Sequence, residues 1–428
     1  MRRTTVLWGA AACVVLAACT GQGPADPASP PTADPASPPT ADAPSSTVDR
    51  ATDPSGTPGP TGDGATTPGA TGDGPSATPS ATPAAVTLFW ADGTPVEGAQ
   101  LDLGAASRVR LGTDVTHVRD VPAEPGRFSL LDDLRPDGSF LTLAADAGGT
   151  GGGTAIGALR EVTATGERTL RPPPDTDLDR LTSIASRRRV DGGIAWIEVL
   201  DGGAPRRLVL APDGSSQGRA VRKAASDGDA PAALARWGAV LLDGRVLAWD
   251  GTVTGEPAEP ALELRHVEAG DDVVETRCDL EACEIVLITE GGRREPLLRG
   301  PLGTWVLVAD GRYVVAVVDR EDGTSTTWGV DTRERTAVRI VGELWGSAMS
   351  EGRILAFDDP DARVVVVDLA AGTVEQLRVE TGAYVDEIAG DLIAVTTGYS
   401  EGAGADGDGG DVLRWPHGAA RRAADPAR

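Results

Sequence analysis

Arg363-Val-Val-Val-Val-Asp368-Leu-Ala-Ala-Gly372-Thr-Val-Glu-Gln-Leu-Arg-Val379 is the stretch whose reading decides the fold. Four successive valines make an apolar run that is too short and too β-branched for a helix, and it stops at an Asp before an Ala-Gly turn. Beyond the turn the chain returns with the alternation of a half-buried strand. The pair therefore reads as a hairpin running from a fully buried strand to an outer one.

The segment just upstream, Glu351-Gly352-Arg-Ile-Leu-Ala-Phe357, adds a Gly-containing turn followed by a short apolar run. The same grammar recurs along the chain, at Pro136-Asp-Gly138-Ser-Phe-Leu-Thr-Leu-Ala144, Asp191-Gly192-Gly-Ile-Ala-Trp-Ile197 and Asp243-Gly244-Arg-Val-Leu-Ala-Trp249. It returns at Asp310-Gly311-Arg-Tyr-Val-Val-Ala-Val317 and Gly390-Asp-Leu-Ile-Ala-Val395. Between the glycines at 138, 192, 244, 311, 352 and 390 the steps are 54, 52, 67, 41 and 38 residues, and the long step leaves room for one more unit, supplied by Cys278 to Thr289. A period of about 40–50 residues with several strands per period is that of a β-propeller blade. The expectation is an all-β propeller over residues 86–428, with about seven blades and a range of six to eight; a multi-domain β-sandwich is the alternative. The best helical candidate, Ala230 to Trp237, is too short to displace a loop.

Within this pattern, Leu134-Arg-Pro-Asp-Gly-Ser-Phe-Leu-Thr-Leu-Ala144 and Gly192-Gly-Ile-Ala-Trp-Ile-Glu198 resemble the turn-then-strand units of TolB-like and related WD40-like propellers. The resemblance covers about 250 residues through short, degenerate motifs. It implies a fold and almost nothing about function.

The N-terminus carries an address. Arg2 and Arg3 precede an uncharged stretch from Thr4 to Ala18, whose 15 residues fall short of the ~20 needed to span a bilayer. Leu16-Ala-Ala-Cys19 resembles the bacterial lipobox. That resemblance implies diacylation of Cys19 and cleavage before it, so that residues 1–19 are a lipoprotein signal peptide. A chance cysteine in an ordinary signal peptide, or an uncleaved anchor, is the competing reading. Thr4 and Thr5 stand where a twin-arginine signal wants apolar residues, which favours the general secretory route.

Residues 20–85 contain no Cys, Lys, His or aromatic residue, and the octad from Asp26 to Ala33 recurs from Asp34 to Ala41. Such a Pro/Ala/Ser/Thr/Gly/Asp-rich segment buries too little apolar surface to offset its ordering entropy, so a disordered linker is expected, with an r.m.s. span of roughly 45 Å. The implied location is the extracytoplasmic face of the cell membrane.

Charge narrows the partners. The 428 residues hold 39 Lys and Arg against 64 Asp and Glu, a net charge of −25, which speaks against nucleic acid and against peripheral binding to anionic lipid. Lys223 is the only lysine and follows no Gly-rich phosphate loop. An envelope protein or a glycan is the expected partner, besides the membrane reached through the lipid.

Few residues signal chemistry. Cys278 and Cys283 are the only thiols of the exported body and read as a disulfide across a hairpin mouth. Zinc would need further ligands; His266 is the nearest histidine, while His117 and His417 are scattered, so no metal is expected. Asp406-Gly-Asp-Gly-Gly-Asp411 has carboxylates two apart, yet Gly410 occupies the fifth position and no Glu follows at the twelfth, which leaves an acidic insertion rather than a calcium loop. Asp322-Gly-Thr-Ser-Thr-Thr-Trp328 has the letters of a sialidase-type Asp-box at the wrong spacing. No nucleophile elbow is read, and the quinoprotein docking repeat would need lysines. No catalytic residue or cofactor is therefore assigned. The favoured function is a binding or scaffolding module, with a carbohydrate-active hydrolase of propeller fold as the alternative.

Overall fold

The computed structural model describes residues 87–122, 127–146, 156–172, 181–200, 206–224, 226, 228–257, 263–320, 322–358, 363–379, 384–396 and 409–416. Among them, short apolar runs separated by Gly-containing turns form antiparallel meanders of four strands. Six of these are continuous in sequence, over 127–171, 181–223, 231–254, 263–300, 304–341 and 345–378. The seventh takes three strands from the C-terminal end, Tyr384–Ala389, Leu392–Thr396 and Gly410–Arg414, and its fourth, Thr116–Val121, from the N-terminal end. The fourth and fifth meanders also touch through one parallel pair, Ala269 with Ala309.

The first strands of successive meanders pack side by side from the second round to the seventh and on to the first. The first and second meet where Leu181–Val190 packs on Ile156–Thr163. Seven apolar clusters occupy the seven interfaces, one between each consecutive pair. The cluster that closes the circle sets Val121, Ala389, Leu392, Ala394 and Val412 against Leu131, Leu134, Phe140 and Val162. A ring of four-stranded blades around an axis is a β-propeller, and here it comprises seven units among the described residues.

The four valines first quoted show why the blades read as continuous apolar runs. Val364 and Val366 enter the cluster shared with blade 7, whereas Val365 and Val367 enter the one shared with blade 5. Successive side chains of a strand point to opposite faces, and here both faces are covered. Each valine is at most 2 % exposed, and full burial is worth roughly 1.5–3 kcal/mol per side chain.

The recurring glycines mark the turn between the first and second strands of a blade. Gly192, Gly311, Gly352 and Gly390 all have positive φ, between 53° and 84°, which a side chain adopts only with strain. At Gly352 a Cβ would also meet the Tyr313 ring at 2.7 Å. Gly244 breaks the phase, because it turns the second strand of blade 3 into the third. Gly270 is the marker missing from the long step: it marks the first turn of blade 4, in which Asp272–Cys278 and Cys283–Thr289 are the second and third strands, so that Cys278 to Thr289 covers only the second hairpin turn and the third strand. Pro231–Ala235 is the inner strand of blade 3 rather than a loop; its small side chains, with Ala233, Leu234 and Ala235 at most 3 % exposed, let neighbouring strands approach closely.

The N-terminal segment wraps the ring. Phe89–Trp90 adds a strand to blade 4, Ala99–Asp102 to blade 5 and Ser107–Arg108 to blade 6, before Thr116–Val121 completes blade 7. Paired outer edges no longer offer free N–H and C=O groups to other chains. Closing a propeller with a strand from the other end of the chain makes part of Val86 to Leu103 the natural candidate to pair with, or pack directly beside, the sheet containing Leu392 to Thr397. The structure moves that role to Thr116–Val121 and leaves 87–103 on blades 4 and 5. Short strands with few apolar side chains do not specify which edge they join. No helix among the described residues is long and apolar enough to cross a membrane.

Candidate functional site

Of the residues singled out in the sequence, Cys19, with its signal peptide, and the linker lie outside the described residues, as do Asp406, Asp408 and His417. Cys278 and Cys283 are joined by a disulfide at a cross-strand pair, with Cα atoms 4.0 Å apart. His266 is engaged elsewhere: its Nε2 lies 3.0 Å from Oε2 of fully buried Glu275, which also meets Arg294. With both sulfurs joined and His266 paired, the donors of the zinc reading are spent. His117 is not isolated, being 2.9 Å from Asp120 and 3.3 Å from Asp411. The letters of a Gly-x-Ser-x-Gly elbow do occur, at Gly214-Ser-Ser-Gln-Gly218, contrary to the sequence reading. They form a connection between the two outer strands of blade 2, with no helix behind them, so the strand-turn-helix context is missing.

The densest charge lies where the inner strands surround the axis. Leu181–Val190 ends in three consecutive arginines, which alternation sends to opposite sides. Arg187 pairs with Asp132 of blade 1. Arg189 donates to the Asp133 carboxylate at 3.0 Å and to Glu161 at 3.2 Å. Arg188, pointing the other way, donates to the carbonyls of Leu234 at 3.1 Å and of Gly270, binding blades 2, 3 and 4 together. Glu268 of blade 4 accepts from the Leu234 N–H at 3.0 Å and from the Ser186 hydroxyl.

Blade 7 completes this belt. In Tyr384–Ala389 a bulge sets Asp386 outside the pairing register, which passes from Val385 to Glu387. Bulges re-aim side chains, so two successive carboxyls reach the same polar interior. Asp386 accepts the Thr396 hydroxyl. Glu387 has no hydrogen-bond or ion-pair partner among the described residues.

These carboxyls are perturbed in one direction. Desolvation raises Asp132 to about 6 despite the opposing pull of Arg187, with Glu268 and Asp133 adding to the rise. Desolvation, with Asp132 nearby, raises Asp386 to about 7 against the Thr396 hydrogen bond. Glu387 is pushed well above the ordinary range by desolvation and then by Asp132, Asp133, Asp386 and Glu268. Asp132 retains 29 % of its side-chain surface, so it is half-buried and not sealed in a core. Groups from blades 1, 2, 4 and 7 thus feel one another across the axis. Carboxyls outnumber guanidiniums there, which suits a ligand that brings a cation or hydrogen-bond donors.

Sequence reasoning missed this belt. Its traces were present as Arg187-Arg188-Arg189 ending a strand and Asp386-Glu387 between Val385 and Ile388. Nothing in the sequence says that the two segments face each other.

Solved structures with a similar chain trace exist at low identity. The β-propeller domain of the Trilobed protease from Pyrococcus furiosus has a TM-score of 0.43 and 12 % identity, over 63 % of this chain and 91 % of that one. For Pyrococcus horikoshii acylaminoacyl peptidase the TM-score is 0.42 at 13 % identity, over 63 % and 49 %. For a prolyl endopeptidase structure it is 0.45 at 14 % identity, over 64 % and 47 %. The chain spans about half the length of these two peptidase chains. Such likenesses bear on fold alone. No family model and no curated protein matches the sequence.

Proposed function

We propose that this protein is a lipid-anchored extracytoplasmic binding or scaffolding module, tethered through Cys19 and a long linker, whose propeller engages an envelope protein or glycan at its axial channel. The anchoring half of this reading is supported by Leu16-Ala-Ala-Cys19 and the low-complexity segment after it. The binding half is carried by one observation: Asp132, Arg187, Glu268 and Asp386 converge from four blades, and beside them Glu387 has no partner among the described residues. Glu387 is half-buried with its carboxyl unmatched among the described residues, and a ligand's amine, guanidinium or hydroxyl would supply the match.

The test is capture from envelope extract by the wild-type protein and by Asp386→Asn/Glu387→Gln, after circular dichroism has shown that both are folded. A component held by the wild type, released by salt and lost with the double variant supports the channel as the binding site. Equal capture by both proteins removes the channel from the reading, and no capture by either removes the binding module.

A hydrolase of propeller fold draws on a different aspect of the same groups. Carboxyls held at about 6 and about 7 fall where a general acid works near neutrality. Turnover of chromogenic glycosides, abolished in Asp386→Asn, would select it.

A further inference from the structure

We propose that His117, Asp120 and Asp411 form a binding site for a divalent first-row transition ion, of which zinc is the probe, and that the ion staples the closure of the ring. His117 and Asp120 belong to the closing strand Thr116–Val121, and Asp411 to its partner Gly410–Arg414. The strands pair antiparallel, with Asp120 directly opposite Asp411. Two residues three apart in a regular strand point to opposite faces. Here a bulge between the pairs Arg119–Val412 and His117–Leu413 leaves Val118 without a partner and brings His117 onto the face of the two carboxylates.

The donor atoms are already spaced for one ion. His117 Nε2 lies 2.9 Å from an Asp120 oxygen and 3.3 Å from an Asp411 oxygen, and all three lie within 4.8 Å of one another. Ligands bound at about 2.1 Å at tetrahedral or octahedral angles stand roughly 3.0–3.4 Å apart. One imidazole and two carboxylates suit zinc, manganese and their neighbours; calcium prefers six to eight oxygens.

Charge points the same way. Carboxylates directly opposite each other on paired strands repel, and among the described residues neither Asp120 nor Asp411 pairs with an arginine or lysine. Nearby Arg119 turns away to donate to the Thr163 carbonyl at 3.1 Å, and Arg414 pairs with Asp391. The side chains of His117, Asp120 and Asp411 are 47 %, 88 % and 41 % exposed, so an ion has free access, and water can fill its remaining positions. Since the donors come from the two ends of the ring, an ion would bind the closed state and not a state with the strand released, which converts occupancy into stability of the seam.

The test uses the full-length chain, stripped with chelator and titrated with ZnCl2. One saturable site is expected, weakened at least tenfold by His117→Gln and by Asp411→Asn. Because His117 is exposed and Asp411 only partly buried, these variants should fold, which circular dichroism checks. With zinc, backbone amides of 116–121 and 410–414 should exchange with deuterium at least tenfold more slowly in the wild type and unchanged in His117→Gln. Absence of saturable binding, or binding indifferent to both substitutions, overturns the site. Binding without slower exchange at the seam overturns the staple.

Discussion

The guanidinium of Arg353 donates to the backbone carbonyl of Trp415 at 3.0 Å and to that of Gly390 at 2.6 Å. Arg353 is 2 % exposed and Trp415 fully buried, so a charge sits inside the interface between blades 6 and 7 and ties down the residue that follows Gly410–Arg414, the last strand among the described residues. Trp415 in turn donates its indole N–H to Glu375 at 2.7 Å. Removing the guanidinium leaves buried carbonyls without their donors and opens a cavity. Arg353→Ala is expected to cost roughly 2–4 kcal/mol, read as a drop in the urea midpoint. A change below about 1 kcal/mol would mean that water replaces the side chain.

Asp386 is expected to make the protein less stable as pH rises from about 4 to about 7. Its carboxyl is held at about 7 in the fold and lies near 3.9 in the unfolded chain, so across that window the folded state binds the extra proton. The stabilisation is present below the unfolded value and lost as pH passes the folded one. The slope is at most ~1.4 kcal/mol per pH unit for one proton. Asp386→Asn should flatten this segment of the profile and be the more stable form at pH 8. Denaturation series at pH 4, 5.5, 7 and 8 decide it, and an unchanged slope in the variant counts against the assignment.

The disulfide should resist peptide mapping under non-reducing conditions, appearing as one cross-linked fragment holding Cys278 and Cys283. The loop it closes is short, so Cys278→Ser/Cys283→Ser is expected to lose about 2 kcal/mol on the chain-entropy account. Recovery of both thiols free from the purified protein would remove the bond.

Deleting residues 87–121 should expose the outer edges of blades 4, 5 and 6 and leave blade 7 with three strands. It also removes Leu88, fully buried, and Val121, 4 % exposed, from two interblade clusters. Light scattering should find aggregates in place of monomer. A monomeric product with native circular dichroism would show that the belt is dispensable.

Cys19→Ala should move the protein from the membrane fraction to the soluble fraction, and mass spectrometry of the wild type should find the lipid on Cys19. Unmodified wild-type protein with a free N-terminus inside the linker is the outcome that defeats the anchor.

What the sequence determined by itself was the class of fold and its period. Val364–Val367 reads as a run because both faces of a blade are buried, and the turn glycines read as markers because positive φ excludes most side chains. Both are local effects, written within a few residues. Phase was lost at blade 3, whose Arg236-Trp237 turn lacks the glycine and whose inner strand is rich in alanine, and at blade 4, where Cys278 to Thr289 reads as the unit in place of the turn at Gly270. Tertiary structure decided everything that depends on which distant segments meet. Thr116–Val121, not the more apolar Val86-Thr-Leu-Phe-Trp90, completes the last blade, because an edge strand is chosen by reach and register around the whole ring. Arg187 finds Asp132 and Asp386 finds Asp132 through the axis, and His117 finds Asp411 through the closure. In a chain with 64 carboxylates no spacing rule distinguishes these few, since Coulomb forces and desolvation act through space and only the closed ring brings the groups within range.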